Sequence, residues 1–272
     1  MNNPEIANNI QTGNYNTNFH DLGEGENIIF IHGSGPGVSA WANWRLCLPT
    51  MSEKFRVIAP DMAGFGFTER LKNDTYSMQK WMEQIILLMD GLDIQKTHLV
   101  GNSFGGGLAV ALAIAYPQRF DKMVLMGAVG VPFVLTDGLD KVWGYEPSLS
   151  NMKALLDVFA YDRSLVNDEL ANLRYQASIQ DGFQESFSSM FPAPRQQWVD
   201  AMTSHEEDIK KIPHETLIIH GREDKVIPVE NSLTLNQWIQ KSQLHIFGEC
   251  GHWSQIEHTK RFNNLMLNFF SE

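Results

Sequence analysis

The chain is poor in cysteine, carries fewer basic than acidic residues, and lacks any long hydrophobic run. Only Cys47 and Cys250 occur among 272 residues, with no CxxC pair. Neither a disulfide framework nor a zinc cluster is signalled, and a reducing cytoplasm is the expected location. Lys and Arg number 21 against 32 Asp and Glu, a net charge of -11, which argues against the basic face of a nucleic-acid binder. The most apolar stretch, Met123 to Leu135, is interrupted by Gly127, Gly130 and Pro132 and falls short of the ~20 residues a membrane helix needs. Met1 to Asn14 contains no Lys or Arg and no apolar segment, unlike a secretory signal. No nucleic-acid or membrane partner is therefore expected. With 43% apolar and 19% charged residues, below the roughly 25% charged of an average domain, the chain has material for a sizeable core in one or two domains.

Short β-rich runs recur: Asn27 to His32, Phe55 to Pro60, Thr97 to Gly101, Lys122 to Gly127, Thr216 to Gly221 and Gln243 to Phe247. Tyr15 to Asp21, turning at Gly23 and Gly25, reads as an edge hairpin strand. Helical patterns lie between most of these runs. Ser77 caps a segment whose Met78, Trp81, Met82, Ile85, Met89 and Leu92 follow helical spacing, ended by Gly91, and Phe262, Leu265, Met266 and Phe269 repeat it near the end. Nearly continuous apolar strands alternating with helices predict an α/β fold with a mostly parallel, doubly wound sheet. From Val131 to Ile212 the strand signal disappears and helical segments such as Met152 to Ala160 and Asn167 to Ile179 take over. The expected organisation is a core of residues 1–130 and 213–272 with a helical cap of residues 131–212, hinged at Gly130-Val131-Pro132 and Ile212-Pro213. Such a cap would lie over the carboxyl edge of the sheet, where these folds bind ligands.

The sharpest local motif is Gly101-Asn102-Ser103-Phe104-Gly105, a G-x-S-x-G directly after a strand and before an apolar helical run. A nucleophile on so tight a turn needs neighbours without side chains two positions away. A phosphate loop would instead carry G-K-[ST] or G-x-G-x-x-G, and neither is present; a plain packing turn is the other bland alternative. A serine hydroxyl needs a base, and the base an orienting carboxylate. Among nine histidines, His252 sits in Cys250-Gly251-His252-Trp253, just after the last strand. His220 and His245 lie inside strand patterns and His98 begins one, which suits structural roles; His258 falls in the final helix. Asp224 follows the strand ending at Gly221 by a short turn, with Glu223 as its close competitor. The order Ser103, Asp224, His252 is that of the α/β-hydrolase fold. The glycine-rich loop His32 to Gly37 suits an oxyanion hole, with the backbone N–H groups of Ser34 and Phe104 as the expected donors.

With these residues in place, the chain resembles the meta-cleavage product hydrolases, carbon–carbon bond hydrolases of the α/β-hydrolase superfamily. The likeness runs nearly end to end through HGSGPGVSAWANW (His32 to Trp44), APDMAGFGFTER (Ala59 to Arg70), GNSFGGG (Gly101 to Gly107), HGREDKVIP (His220 to Pro228) and CGHW (Cys250 to Trp253). The cap segments VWGYEPS and LRYQASIQDGFQESFSSMFPAPRQ look most like the branch acting on 2-hydroxymuconic semialdehyde. The resemblance implies a triad of Ser103, Asp224 and His252, oxyanion donors at Ser34 and Phe104, and a polar subsite of Asn43, Asn102, Arg174 and Trp253. It also implies a dienol acid substrate, no cofactor and no metal, and a homodimer or larger homo-oligomer. Arg174 has separate support. On its helix it is expected to share a face with Leu170, Leu173 and Ala177, where a buried cation is costly unless a carboxylate meets it; a rim arginine paired with a nearby acid is the alternative. Val129, Leu139, Trp143 and Val226 are expected to line an apolar subsite or simply to pack the cap. A serine carboxylesterase on the same fold, and a small-molecule receptor without turnover, are the competing readings.

Overall fold

The computed structural model describes residues 3–272; Met1 and Asn2, which open the Met1 to Asn14 segment discussed above, lie outside the described residues. One sheet is built from β1 (Asn8–Thr12), β2 (Tyr15–Leu22), β3 (Asn27–Ile31), β4 (Arg56–Pro60), β5 (Thr97–Asn102), β6 (Phe120–Met126), β7 (Thr216–Gly221) and β8 (Ser242–Phe247). Its order is β1-β2-β4-β3-β5-β6-β7-β8. From β4 to β8 every pairing is parallel, while β2 runs antiparallel to both β1 and β4.

The pleat explains why the central strands carry apolar side chains on both faces. In β3, Ile28 and Phe30 face one side and Ile29 and Ile31 the other; Val124 and Met126 of β6 oppose Met123 and Leu125 in the same way. One face is covered by α1 (Ala40–Trp44), α2 (Leu48–Met51) and, from the C-terminal end, α13 (Thr259–Ser271), through Trp44, Leu48, Met51, Phe262 and Met266. The other is covered by α3 (Met78–Gly91) and α4 (Phe104–Ala115), through Trp81, Ile85, Leu88, Leu108 and Leu112. The Ser77 hydroxyl caps α3 by accepting from Lys80 N.

Between β6 and β7 lie α5 (Asp137–Trp143), α6 (Leu149–Phe159), α7 (Asp168–Ser178), α8 (Phe183–Met190), α9 (Gln196–Ala201) and α10 (Glu206–Ile209), with no strand. Past β7 come α11 (Val229–Trp238) and α12 (Ser254–Glu257). No helix among the described residues is long and apolar enough to cross a membrane.

Two features differ from the expectation. β1 went unread because NNIQT has no apolar alternation and is mostly exposed; it is held by backbone pairing to β2. That makes β2 an interior strand rather than an edge. The turn at Gly23 and Gly25 also closes no hairpin, because β3 lands on the far side of β4.

After β3 the chain places β4 on one side, then returns to place β5 on the other. The carboxyl ends of β3 and β5 therefore flank the point where strand order reverses, the crevice in which such sheets bind ligands. The loop after β3 is tied down by His32, which is fully buried. Its Nε2 accepts from Met62 N at 3.0 Å, so Nδ1 carries the proton and donates to Gly33 O at 2.8 Å.

Burial pushes His32 down from 6.5 to about 4. The unfolded chain therefore takes up this proton first, and the stability His32 confers is present above pH 6.5 and lost as pH falls towards 4. At ~1.4 kcal/mol per pH unit, that interval is worth at most about 3–4 kcal/mol. His32→Gln should lose less of its own stability than the wild type between these pH values. Urea unfolding at matched pH measures this, and equal losses would remove His32 as a source of acid sensitivity.

Candidate active site

Ser103 stands between β5 and α4 with φ 55° and ψ -111°, a left-sided backbone unusual for a residue with a Cβ. The turn is held by Ser103 N donating to Met126 O (2.8 Å) and by Gly106 N, Gly107 N and Val129 N converging on Ser103 O. It closes only because Gly101 and Gly105 have no side chains. A Cβ on Gly101 would lie 2.3 Å from Gly105 O, and one on Gly105 2.4 Å from Ile31 O. The serine thus projects from the top of the sheet at the strand reversal. Phe104 begins α4, so its N–H has no acceptor within the helix, and neither it nor Ser34 N donates to another described residue. Both free N–H groups lie at the carboxyl edge of the sheet that also carries Ser103.

Asp224 follows β7 and His252 follows β8, at the same edge of the sheet. His252 Nδ1 donates to Asp224 Oδ2 at 2.7 Å, and Asp224 Oδ1 accepts from Val226 N (2.7 Å) and Ile227 N (3.0 Å). Burial alone would raise the Asp224 carboxyl, but the charge of His252 and the hydrogen bonds from His220 and His252 hold it well below the usual carboxylate range. Glu223, the competitor, is turned away onto Arg222 and Cys250 N. Beneath the pair lies Gly127 with φ 49°, where a Cβ would come within 3.3 Å of both side chains. His220, His245 and His98 lie in their strands, as the sequence pattern suggested. His258 is the residue preceding α13 rather than part of it.

Ser103 and His252 open onto one cavity with about 910 Å³ of empty space, its mouth included. Ser34, Asn43, Asn102, Leu139, Arg174, Val226 and Trp253 also line it. Asn43 Oδ1 accepts from Gly33 N (3.2 Å), which fixes its orientation, so Asn102 must present Nδ2 to it (2.8 Å). Asn43 Nδ2 and Asn102 Oδ1 are then left buried with no partner among the described residues, as is Gln255 Oε1. These are one donor and two acceptors aimed at a polar ligand. Arg174 donates to Gly37 O (2.7 Å), and no carboxylate lies within ion-pair distance of it among the described residues. The alternative of a rim arginine paired with an acid does not hold. Desolvation lowers its hold on the proton. No Asp or Glu lines the cavity, in a chain with 32 of them.

Three expected positions lie elsewhere. Leu173 is 60% exposed and so is not on the face of Arg174; Leu170, one turn back, shares the cavity instead. Val129 packs on Gly107 of α4, and its N–H serves Ser103 O. Trp143 is one helical step behind the wall formed by Leu139 and Val142. Its indole N–H donates to Ser34 Oγ (3.0 Å) and its rings stack on Phe191 at 4.4 Å, so it props the oxyanion loop from behind. Phe104 contributes its backbone alone, its ring being buried against Phe65 and Trp81. Conversely, Phe159, Gln255 and Ile256 line the cavity unread, as do Met152 and Leu156 of α6. Met152 to Ala160 reads as a helix in the sequence, but nothing local says which wall of the cavity it forms.

Phe159 joins the cap to the base. Its carbonyl accepts His252 N at 2.7 Å, and its ring stacks on Trp253 at 4.9 Å. Glu257 completes the joint: Oε2 accepts Tyr161 N and Asp162 N, both at 2.8 Å, and Oε1 accepts Gly251 N at 2.7 Å. Glu257→Gln places an amide donor against one of these N–H groups. It should cost about 1–3 kcal/mol of stability in urea unfolding and slow turnover through the His252 loop; wild-type values for both would show that the joint is dispensable.

The chain is similar to known proteins over nearly its whole length. The model of the alpha/beta hydrolase fold family matches residues 26–259. The chain is 57% identical to the 2-hydroxymuconate semialdehyde hydrolase of Pseudomonas sp. strain CF600, over all of this chain and 96% of that protein. It is also 57% identical to the 2-hydroxy-6-oxo-2,4-heptadienoate hydrolase of Pseudomonas putida, over 99% and 98% respectively. Among solved structures it is similar to a mutant of the meta-cleavage product hydrolase of Pseudomonas fluorescens IP01 complexed with acetates, at 62% identity, TM-score 0.98 and 99% of each chain. The 2-hydroxy-6-oxo-6-phenylhexa-2,4-dienoate hydrolase of Rhodococcus sp. strain RHA1 superposes with TM-score 0.90 at 28% identity, over 97% of this chain and 98% of that one.

Proposed function

This chain belongs to the α/β-hydrolase fold family and, within it, to the meta-cleavage product hydrolases, and from that premise we propose that it hydrolyses a 2-hydroxy-6-oxohexa-2,4-dienoate-type ring-cleavage product. 2-Hydroxymuconate semialdehyde or a 6-alkyl analogue is the substrate, and 2-hydroxypenta-2,4-dienoate with formate or acetate the products. The observation that carries this reading is the pairing, in one cavity, of Ser103 and His252 with a cation that has no anionic partner, Arg174. A serine, histidine and aspartate alone suit any acyl transfer. An unpaired guanidinium beside unpaired amide atoms suits an acid with a polar head.

In this scheme the substrate carboxylate lies against Arg174 and Asn43 Nδ2, and its 2-oxygen faces Asn102, Gln255 and Trp253. Bound as the dienol, it first takes a proton at carbon 5 and loses the one on its 2-hydroxyl, with His252 as the mediating group. The step is essential, because cleavage sends the electron pair of the C5–C6 bond through the conjugated chain onto the 2-oxo oxygen. Ser103, or a water deprotonated at His252, attacks the carbon 6 carbonyl. The N–H groups of Ser34 and Phe104 stabilise the oxyanion, and Asp224 orients His252. The C5–C6 bond breaks and the 2-oxygen is protonated; if water attacked, the carbon 6 fragment leaves directly as a carboxylic acid, and if Ser103 attacked, a water activated at His252 hydrolyses the acyl-serine to the acid and restores the hydroxyl. Leu139, Val142 and Val226 meet the carbon 6 substituent, and residues 131–212 act as a lid on the core of residues 1–130 and 213–272. Both cysteines are free and buried, which supports a reducing cytoplasm as the location; a homodimer or larger assembly rests on the resemblance.

The test follows the visible absorbance of ring-cleavage products made from catechol, 3-methylcatechol and 2,3-dihydroxybiphenyl. Rapid decay with the first two, slower decay with the third and none with Ser103→Ala are expected. No decay with any of the three, beside turnover of nitrophenyl esters, would make the chain a carboxylesterase. Arg174→Gln should lower kcat/KM on the acidic dienol by about 10- to 100-fold, the worth of ~1.5–3 kcal/mol of charge-assisted hydrogen bonding. Its effect on a neutral ester should be small, and equal losses on both would deny it the role of carboxylate clamp.

A further inference from the structure

One fully buried titratable side chain touches the acid and has no part in the scheme above. His220, in β7, was expected to be a structural histidine of its strand. Its Nε2 lies 3.2 Å from Asp224 Oδ2 and 3.0 Å from Ile227 O, while Nδ1 lies 2.6 Å from Ser232 Oγ, on α11. An ionised carboxylate and a carbonyl can only accept, so Nε2 must carry a proton. In the neutral ring Nδ1 is then an acceptor, and the Ser232 hydroxyl donates to it. A chain of donors results: Ser232 to His220, His220 to Asp224.

Asp224 Oδ2 is therefore shared by two imidazoles. His252 Nδ1–H approaches at 2.7 Å and His220 Nε2–H at 3.2 Å, while Oδ1 is occupied by two backbone N–H groups. The carboxylate side chain is 1% exposed, so no solvent adjusts it.

We propose that His220, backed by Ser232, is a positioning residue that fixes the Asp224 carboxylate and sets how strongly Asp224 raises the basicity of His252. The Ser232 hydroxyl polarises the His220 ring and makes Nε2–H a stronger donor. That donor draws charge from Oδ2, and with it some of the attraction Asp224 exerts on a protonated His252. Without it, His252 holds its proton to higher pH. A base must be neutral to accept a proton, so the acidic limb of the rate profile moves up. Few other charges face this pair. Glu223 precedes Asp224 but is engaged by Arg222 and Cys250 N. Beside the His252 loop stand Cys250 and Glu257, and β6 brings only Gly127 and α6 only Phe159.

This inference rests on reading Asp224 and His252 as acid and base. If Ser103→Ala and His252→Ala both kept wild-type turnover of the ring-cleavage product, that reading would fail whatever His220 does. The test is the pH dependence of kcat/KM on that product for Ser232→Ala, His220→Gln and His220→Phe. A glutamine amide can reach Oδ2 as a donor; a phenyl ring cannot. His220→Phe is expected to move the acidic limb up by about one pH unit and to lower kcat by roughly 10-fold or more, with KM within about twofold. His220→Gln should recover most of both. Ser232→Ala, which folds with least disturbance, should move the limb the same way by a few tenths of a unit. A limb that stays at its wild-type position in Ser232→Ala, or a glutamine variant as impaired as the phenylalanine one, overturns the proposal. Nitrogen-15 spectra of Ser103→Ala give an independent reading. A proton on His220 Nε2 is expected, and a ring protonated on Nδ1 alone would contradict the donor chain.

Discussion

The close approach of two backbones at Ser103 is the constraint on which the site depends. Because Gly101 and Gly105 leave no room for side chains, β5 passes into α4 without a loop, and Ser103 is held at a positive φ. From that follow the opening of Ser103 onto the cavity at the strand reversal and the free N–H of Phe104 beside it. Strain of this kind costs of order 1–3 kcal/mol. It is sustained by β5, buried at every position, and by its pairing with β6, whose Met123 to Met126 are all buried. Stability is spent here in a place where the surroundings can over-determine the geometry.

Charge follows the same logic. A chain with net charge -11 would repel an anionic ligand at long range, yet its cavity contains Arg45 and Arg174 and no carboxylate. In a crevice walled by apolar side chains such local charges are felt more strongly than the same charges in water. The one acid that the site needs, Asp224, is set behind His252, with its charge met by four donors. Attraction for the ligand and orientation of the base are thereby separated in space.

Much of this was legible in the sequence, and the gaps have physical reasons. The strands were readable because burial on both faces favours apolar runs, and Ser103, Asp224 and His252 because each stands at the end of a strand signal or a short turn beyond it, at the carboxyl edge. Arg174 was readable as a cation in an apolar helical pattern, although Leu173 proved to point outward; a period of 3.6 fixes a face only to within a residue or so. β1 was missed because backbone pairing alone holds it. The cavity wall was read least well. Whether Val142 or Trp143, Val129 or Phe159 meets the ligand depends on how helices distant in sequence rotate against the sheet, and no local pattern records that. His220 was assigned to its strand correctly, yet the strand position said nothing of the carboxylate four residues on that folds back onto its ring.

The joint made by Glu257 and Phe159 bears on how the molecule can move. His252 N, Tyr161 N and Asp162 N are engaged between the helical segment of residues 131–212 and the rest of the chain, and the same Glu257 holds Gly251 N. Residues 131–212 therefore cannot part from the rest of the chain at that edge without unfastening the loop that carries His252. Opening this edge and keeping His252 in place are thus mechanically exclusive.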